Sequence, residues 1–512
     1  MKYLLAIDCG LTVSKAVIFS TEGKEIARGF TKPDTSYPKA GWAERDPGDL
    51  WHHVCKAVRD AITHSGLERG QIIGVTVTGH GNGIFCLDKE LSPARPGILS
   101  IDTRASETLV TLSEEGTLEK AQPITGSQLW AASSPVLLRW IKDNEPEVYI
   151  KTKFICEVKD YIRYKITGEL STDHTDLGGA ALIDTANISY SKDILDAYGI
   201  PEVNEMLPRM LDPWTISGTV TRSCALETGL KEGTPVSTGG MDIVMTPLGC
   251  GCLDEGQMCV IVGTWSINGI VMEKPVFNQN ALLTTTYCVP GRWYQADASP
   301  SSASNLDWFM EQFCHFEKTE AKKRGVSPFE IINEELGNMD PGSCEIIFHP
   351  FIYGSNIQPS ARAGFYGLGG WHKRPDLLRA IYEGVCFSHL SHVQNLRSVM
   401  STREAYISGG GKRSEIWTQM FSDILNIPIQ VPMGDELGAL GSAINAAVAV
   451  GFYKDHREAV SYMCSVIRKH EPEPRAHEIY MKKYDRYNEI LGAMKTPWDH
   501  MYRTMDEIKG LT

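Results

Sequence analysis

The strand pattern that opens the chain returns halfway along it. Residues Tyr3 to Ile7 are apolar and β-prone, Asp8-Cys9-Gly10-Leu11 makes a tight turn, and Ala16 to Phe19 resume a strand before Glu22-Gly23 turns again, so a β-meander is predicted. Met258 to Val262 likewise read as a strand, Gly263-Thr264-Trp265-Ser266 as a turn and Ile267 to Met272 as the returning strand. The pattern repeats while the residues differ, which indicates two halves of related architecture rather than a solenoid. A length of 512 residues exceeds what one ordinary core supports and points the same way, to two lobes with a cleft between them.

Helical signals alternate with these strands. Asp46-Pro47 offers an N-cap and a proline at the first helical position, and Leu50, Trp51, Val54, Val58, Ala61 and Ile62 recur at helical spacing before a strand at Ile72 to Thr78. In the second half, Ser408 to Lys412 form a Gly-rich turn, Ser414 is a candidate cap, and Ile416, Trp417, Met420, Phe421, Ile424 and Leu425 make the apolar stripe of the next helix. A further helix from Leu437 to about Val450 is rich in glycine and alanine, which implies close approach to another backbone or to a flat ligand. The class predicted is mixed α/β.

Composition excludes several functions. A formal net charge of -13 with no long basic run argues against a nucleic-acid or anionic-membrane partner. No segment reaches membrane-spanning length, and Asp8 interrupts the apolar start before a secretion signal could form. The 13 cysteines lack paired zinc spacing and read as reduced thiols, so a cytoplasmic protein is expected.

Three Gly-rich turns are candidates for phosphate. In the first, Gly10 lets backbone N–H groups approach oxygens, Thr12 and Ser14 donate, Lys15 neutralises charge and Asp8 can hold a hydrated Mg²⁺; an ordinary hairpin with polar turn residues explains the same string equally well. The second, Gly263 to Ser266, offers glycine and hydroxyls at the matching place. The third, Gly409-Gly410-Gly411-Lys412, fails as a Walker A loop because Arg413 stands where Ser or Thr is required. Neither Gly79 to Gly83 nor Gly364 to Gly370 satisfies a dinucleotide fingerprint. Finally, Ser237-Thr238-Gly239-Gly240-Met241-Asp242 ends a β-like run with a lone carboxylate, either a base for a substrate hydroxyl or the N-cap of a helix over Ile243 to Leu248.

These residues together resemble the FGGY carbohydrate kinase family along essentially the whole chain. Ala363-Gly364-Phe365-Tyr366-Gly367-Leu368, then Asp376-Leu377 and Ala380-Ile381-Tyr382-Glu383, fit the C-terminal signature, while DCGLTVSK, VGTWS and SGGGKRSEIW look like the two phosphate motifs and the adenosine motif. Three positions depart from the pattern. Leu11 replaces a hydroxyl residue, Leu137 stands where a Lys is usual although Trp140 is retained, and His80-Gly81-Asn82 replaces the Gln-Met-His of xylulose kinases. Through FHPFIYGSN, GFYGL and AIYEGVCFSHLSHV the chain is most similar to L-xylulose-type ketose kinases.

The resemblance implies a two-domain actin-like (ribonuclease H-like) ATPase fold, with an N-terminal domain at 1–245 and a C-terminal, nucleotide-binding domain at 246–512. It implies ATP-dependent phosphorylation of a small sugar, a ketopentose such as L-xylulose favoured, with a polyol as the alternative acceptor and ATP and Mg²⁺ as cofactors. Asp242 would be the base; Thr12, Ser14, Lys15, Gly263 and Thr264 would surround the phosphates, and Gly410, Gly411 and Ser414 would lie near the adenosine. Asp8 would hold the metal. His80, Asn82, Asp102, Arg104 and Asp160, within Lys159-Asp160-Tyr161, match family positions near the sugar, although Asp102 and Arg104 also read as a structural ion pair and His80 as a turn hydrogen bond. A hinge near 243–250 and a homodimer are further expectations. An actin-like or Hsp70-like ATPase, or a silent sugar-binding regulator, are the competing readings; the first leaves the C-terminal signature unexplained, and the second leaves Asp8, Thr12, Asp242 and Thr264 without purpose.

Overall fold

The computed structural model describes residues 1–337 and 339–511, with the backbone alone at 506 and 509–511. The elements that build and position the site begin with β1 (Tyr3–Cys9), β2 (Ser14–Ser20), β3 (Glu25–Thr31), α1 (Pro47–Ser65) and β4 (Ile72–Gly79). Helices α2 (Ser134–Asn144), α3 (Val158–Thr167) and α4 (His174–Gly179) lead to β5 (Ile216–Thr219), β6 (Pro235–Ser237) and α5 (Asp242–Cys250). There follow β7 (Gln257–Val262), β8 (Ser266–Met272), α6 (Ser304–Phe313), α7 (Pro328–Leu336), α8 (Arg374–Arg397), β9 (Glu404–Ser408) and α9 (Glu415–Leu425). The chain ends with β10 (Ile429–Pro432), α10 (Leu437–Ala449), β11 (Val466–His470) and α11 (Pro474–Leu511).

Two compact units interleave along the sequence: 1–255, 271–295 and 434–465 form the first, and 256–270, 296–433 and 466–512 the second. The first holds a six-stranded sheet in the order β5-β6-β4-β1-β2-β3. Strand β1 pairs antiparallel with β2, Asp8 opposite Lys15, and parallel with β4, Asp8 beside Thr78. Flanked on both edges and covered on both faces, β1 is buried along nearly its whole length, which is why it reads as one apolar run. In the second unit β8, β7, β9, β10 and β11 lie side by side in that order. Here β7 pairs antiparallel with β8 and parallel with β9, the arrangement of β1 with its own two neighbours. Each unit is thus headed by a hairpin of the kind the sequence predicts.

Local signals act as expected. The Asp46 carboxylate accepts from Asp49 N at 2.8 Å at the start of α1, Leu50, Trp51, Val54, Val58 and Ala61 are buried, and Gly66 closes the helix at φ 64°. Although α10 follows the second unit's strands in sequence, it packs with the first unit, against α5. A Cβ on Gly441 would lie 1.9 Å from Met245 O, so the partner of this small-residue helix is another backbone. Residues 243–250, where a hinge was expected, are helical throughout and held by this contact.

Candidate active site

In the first unit the carboxyl ends of β1, β4 and β6 converge, the place where open α/β sheets put ligand-binding loops. Cys9 lies beside Gly79, Val236 beside Val75, and Gly79 bridges to Met241, so Asp8, His80 and Asp242 emerge from adjacent strands. The turn before Asp242 needs its glycines. Gly239 has φ +70°, and a Cβ there would lie 1.9 Å from Val77 O. Thr78 Oγ1 donates to Gly240 O at 2.7 Å, and Met241 N donates to Thr175 Oγ1 at 3.1 Å.

Met241 occupies the cap position of α5, and Asp242 is its first helical residue. Burial and the nearby Asp8 charge push the Asp242 carboxyl up to about 7, against a bond from the Ile243 backbone. Burial also pushes Asp8 up to about 6, with Lys15 opposing and Glu436 adding to the rise. Between β1 and β2, Gly10 N donates to Val13 O at 3.1 Å and Thr12 is exposed at the turn. The Ser14 hydroxyl is buried with no partner among the described residues. Lys15 Nζ lies 2.7 Å from Glu436 Oε2, at the start of α10.

The residues assigned to sugar divide into two kinds. Among the described residues His80 and Asn82 keep unused polar atoms: His80 Nδ1 lies 3.3 Å from Ser100 Oγ while Nε2 has no partner, and Asn82 Nδ2 donates to Gly179 O at 3.2 Å while Oδ1 has none. Burial, with the Arg45 charge, lowers the His80 imidazole to about 4, so the ring is neutral. Asp102 and Arg104 instead form the ion pair that was one of their two readings. Arg104 Nε and Nη2 reach Asp102 at 2.9 and 2.8 Å, Nη1 reaches Glu44 at 2.8 Å, and the guanidinium lies 3.8 Å from the Trp42 ring centre.

Asp160 is likewise engaged by protein. Lys159 Nζ is buried among Asp160, Asp173 at 2.6 Å and Asp176 at 2.9 Å, and Arg163 Nη1 lies 3.0 Å from Asp160. The three carboxylates are close enough together to hold a metal ion, and the Lys159 ammonium fills that role here. Asp173 and Asp176 were not singled out from sequence; the TDHTD string that follows the Lys159 helix was the available signal.

The second unit carries a cavity of about 760 Å³, a volume suited to a nucleoside. Gly263 and Thr264 of the β7–β8 turn, Gly410, Gly411 and Ser414 line it, together with Asn333. Gly411 approaches β7 so closely that a Cβ would lie 2.6 Å from Val262 Cγ1, whereas a Cβ on Gly410 would meet nothing within 4 Å. Ser414 caps α9 by accepting from Trp417 N at 3.2 Å, and its hydroxyl donates to Asn333 Oδ1 at 2.7 Å. Tyr382 and Trp417 stack at 4.4 Å and form an aromatic wall. Asn333 lies on α7, a stretch that carries no motif.

Hairpin-headed sheets in both units, each with a hydroxyl-bearing turn between its two strands, define a two-domain actin-like (ribonuclease H-like) ATPase fold. The chain superposes on a ligand-bound xylulose kinase from Lactobacillus acidophilus with TM-score 0.87 at 21% identity, covering 98% of this chain and 100% of that one. It superposes on Plasmodium falciparum glycerol kinase with ADP with TM-score 0.84 at 20% identity, covering 96% and 98%. The protein belongs to the FGGY family of carbohydrate kinases, whose N-terminal domain model matches residues 3–249 and whose C-terminal domain model matches 258–450. It is 34% identical to the L-xylulose/3-keto-L-gulonate kinase of Escherichia coli K12 over 96% of this chain and 97% of that protein. It is 33% identical to a probable L-xylulose kinase of Pasteurella multocida over 97% and 99%. Among the described residues no helix is long and apolar enough to cross a membrane.

Proposed function

We propose that this carbohydrate kinase transfers the γ-phosphoryl group of ATP to a hydroxyl of a ketopentose, L-xylulose being the favoured acceptor, with Asp242 as the base. The observation that carries the proposal is the Asp242 carboxyl, displayed at the carboxyl end of the sheet with its pKa raised to about 7. A base poised near the working pH takes a hydroxyl proton most effectively. The names of relatives at 33 to 34% identity over nearly the full length support the acceptor.

Phosphoryl transfer is mainly positioning and charge stabilisation, so each remaining residue has a limited task. Asp242 accepts the hydroxyl proton as the oxygen attacks phosphorus in line and ADP leaves. Lys15, Thr12 and the free Ser14 hydroxyl donate to terminal phosphate oxygens; Gly263 and Thr264 offer backbone and hydroxyl donors, and Gly410, Gly411 and Ser414 flank the adenosine. The neutral His80 and the open Asn82 amide oxygen orient the sugar. Mg²⁺ fits at Asp8, a hard oxygen donor whose charge raises its carboxylate neighbour. When bound there it offsets polyphosphate charge.

The test is ADP release with Mg-ATP across L- and D-ketopentoses, 3-keto-L-gulonate and polyols, with Asp242→Asn as control. Turnover that requires L-xylulose and is lost in the variant is expected. Turnover retained in the variant removes Asp242 as the base, and turnover without any acceptor is ATP hydrolysis and overturns transfer to the ketopentose.

A further inference from the structure

Behind the Gly263–Trp265 turn lies a hydrogen-bonded imidazole that the proposed chemistry does not use. His389, in the middle of α8, is wholly buried, as are Ser266, Asn268 and Ser302 around it. Its Nδ1 lies 2.8 Å from Asn268 Oδ1 and 3.2 Å from Ser266 Oγ, and its Nε2 lies 2.9 Å from Ser302 Oγ. An amide oxygen only accepts, so Nδ1 carries the proton and Nε2 accepts from the Ser302 hydroxyl. Asn268 is itself oriented, its Nδ2 donating to Ser266 Oγ at 3.3 Å. Burial and the neighbouring His392 hold the imidazole well below its usual range, so it stays neutral and Nε2 stays an acceptor.

Ser302 begins the segment that grips the turn. Its N–H donates to Thr264 O at 3.0 Å, Ala303 N donates to Gly263 O at 2.9 Å, and Ser304 Oγ adds a bond to Thr264 O at 2.9 Å. In a trans peptide the C=O and the following N–H point opposite ways. Tying the Gly263 and Thr264 carbonyls to residues 302–304 therefore turns the N–H groups of Thr264 and Trp265 away from that segment, free to meet an anion. Donors held before the ligand arrives cost no reorganisation when it binds.

We propose that His389 is a positioning residue for the nucleotide: acting through Ser302, it locks the Gly263–Trp265 turn so that its backbone N–H groups are aimed at polyphosphate oxygens. The imidazole touches no ligand. The inference rests on the reading of this turn as a phosphate site.

Four variants test it, Ser302→Ala, His389→Leu, the double variant that combines these two, and His389→Gln, each assayed by calorimetry with Mg-ADP and by the KM values for ATP and for acceptor. Loss of a buried hydrogen bond that orients the turn is expected to weaken ADP binding about tenfold in Ser302→Ala and in His389→Leu. The ATP KM rises in parallel, the acceptor KM stays put, and the double variant is no worse than either single one. His389→Gln, whose amide oxygen can accept from Ser302, restores part of the affinity. Unchanged ADP affinity in a folded Ser302→Ala protein overturns the proposal, as does an equal loss in acceptor KM, and Ser302→Ala decides alone if His389→Leu does not fold. A parent protein that binds no ADP overturns instead the nucleotide reading on which the proposal rests.

Discussion

Gly249 of α5 and Gly441 of α10 occupy the same crossing, each pressed against the other helix's backbone. A Cβ on Gly249 would lie 1.9 Å from Leu437 O, and one on Gly441 would lie 1.9 Å from Met245 O and 2.9 Å from Gly249 N. No rotamer change relieves a clash with a carbonyl oxygen, so the helices must separate. Gly441→Ala is expected to cost about 2–3 kcal/mol by overpacking and to lower kcat by shifting the helix that starts at Asp242. Gly492 in α11 meets nothing within 4 Å. Gly492→Ala is expected to gain about 0.5–1 kcal/mol. Urea unfolding of both variants, beside kinetics, checks the contrast; equal stabilities would disprove the close crossing.

The Asp242 carboxyl makes stability depend on pH in a definite direction. Its folded pKa is about 7, against roughly 3.9 for an unfolded aspartate. Between these values the folded state binds more protons than the unfolded one, so this group's contribution is largest at low pH and is lost as pH rises through about 7. Asp242→Asn should therefore melt above the parent protein at pH ~8 and close to it at pH ~4. In the parent enzyme kcat/KM should fall on the acid side of about 7 as the base protonates. Melting curves and a pH–rate profile read both effects.

The Lys159 ammonium compensates three buried carboxylates. Removing it leaves only Arg163, 3.0 Å from Asp160, to offset the cluster, so Lys159→Met is expected to lose about 3–5 kcal/mol, the cost of breaking a buried ion cluster from one side. Chemical denaturation measures the loss; a variant as stable as the parent would show that protonation of the carboxylates already balances the cluster.

Asn82 has φ +63°, a conformation glycine adopts freely, and an amide oxygen without a partner among the described residues. Asn82→Gly keeps the backbone and removes the amide. The expectation is a melting temperature lowered by loss of the buried Nδ2–Gly179 O bond, with acceptor KM raised about tenfold, the worth of one oriented hydrogen bond, and ATP KM unchanged. An unaltered acceptor KM would remove Asn82 from the sugar site.

What the sequence determined by itself was carried by neighbours along the chain. The paired hairpins, the Asp46 cap of α1, the Ser414 cap of α9 and the Gly-rich turns all rest on dihedral preferences and hydrogen bonds within a few residues, so local residue type settles them. Tertiary structure decided the rest. The small residues of α10 allowed a ligand or a backbone until Gly249 was placed against them. The N-cap reading of Asp242 fell away only when Met241 took the cap position, and the influence of Asp8 on its carboxyl comes from strand pairing. Asp102 and Arg104 became an ion pair only once Glu44 and Trp42 closed around the guanidinium. Lys159, Asp173 and Asp176, like His389 and Ser302, meet because strands and helices distant in sequence pack together. A residue type sets which bonds a side chain can make; only burial beside particular partners decides which of them it does make.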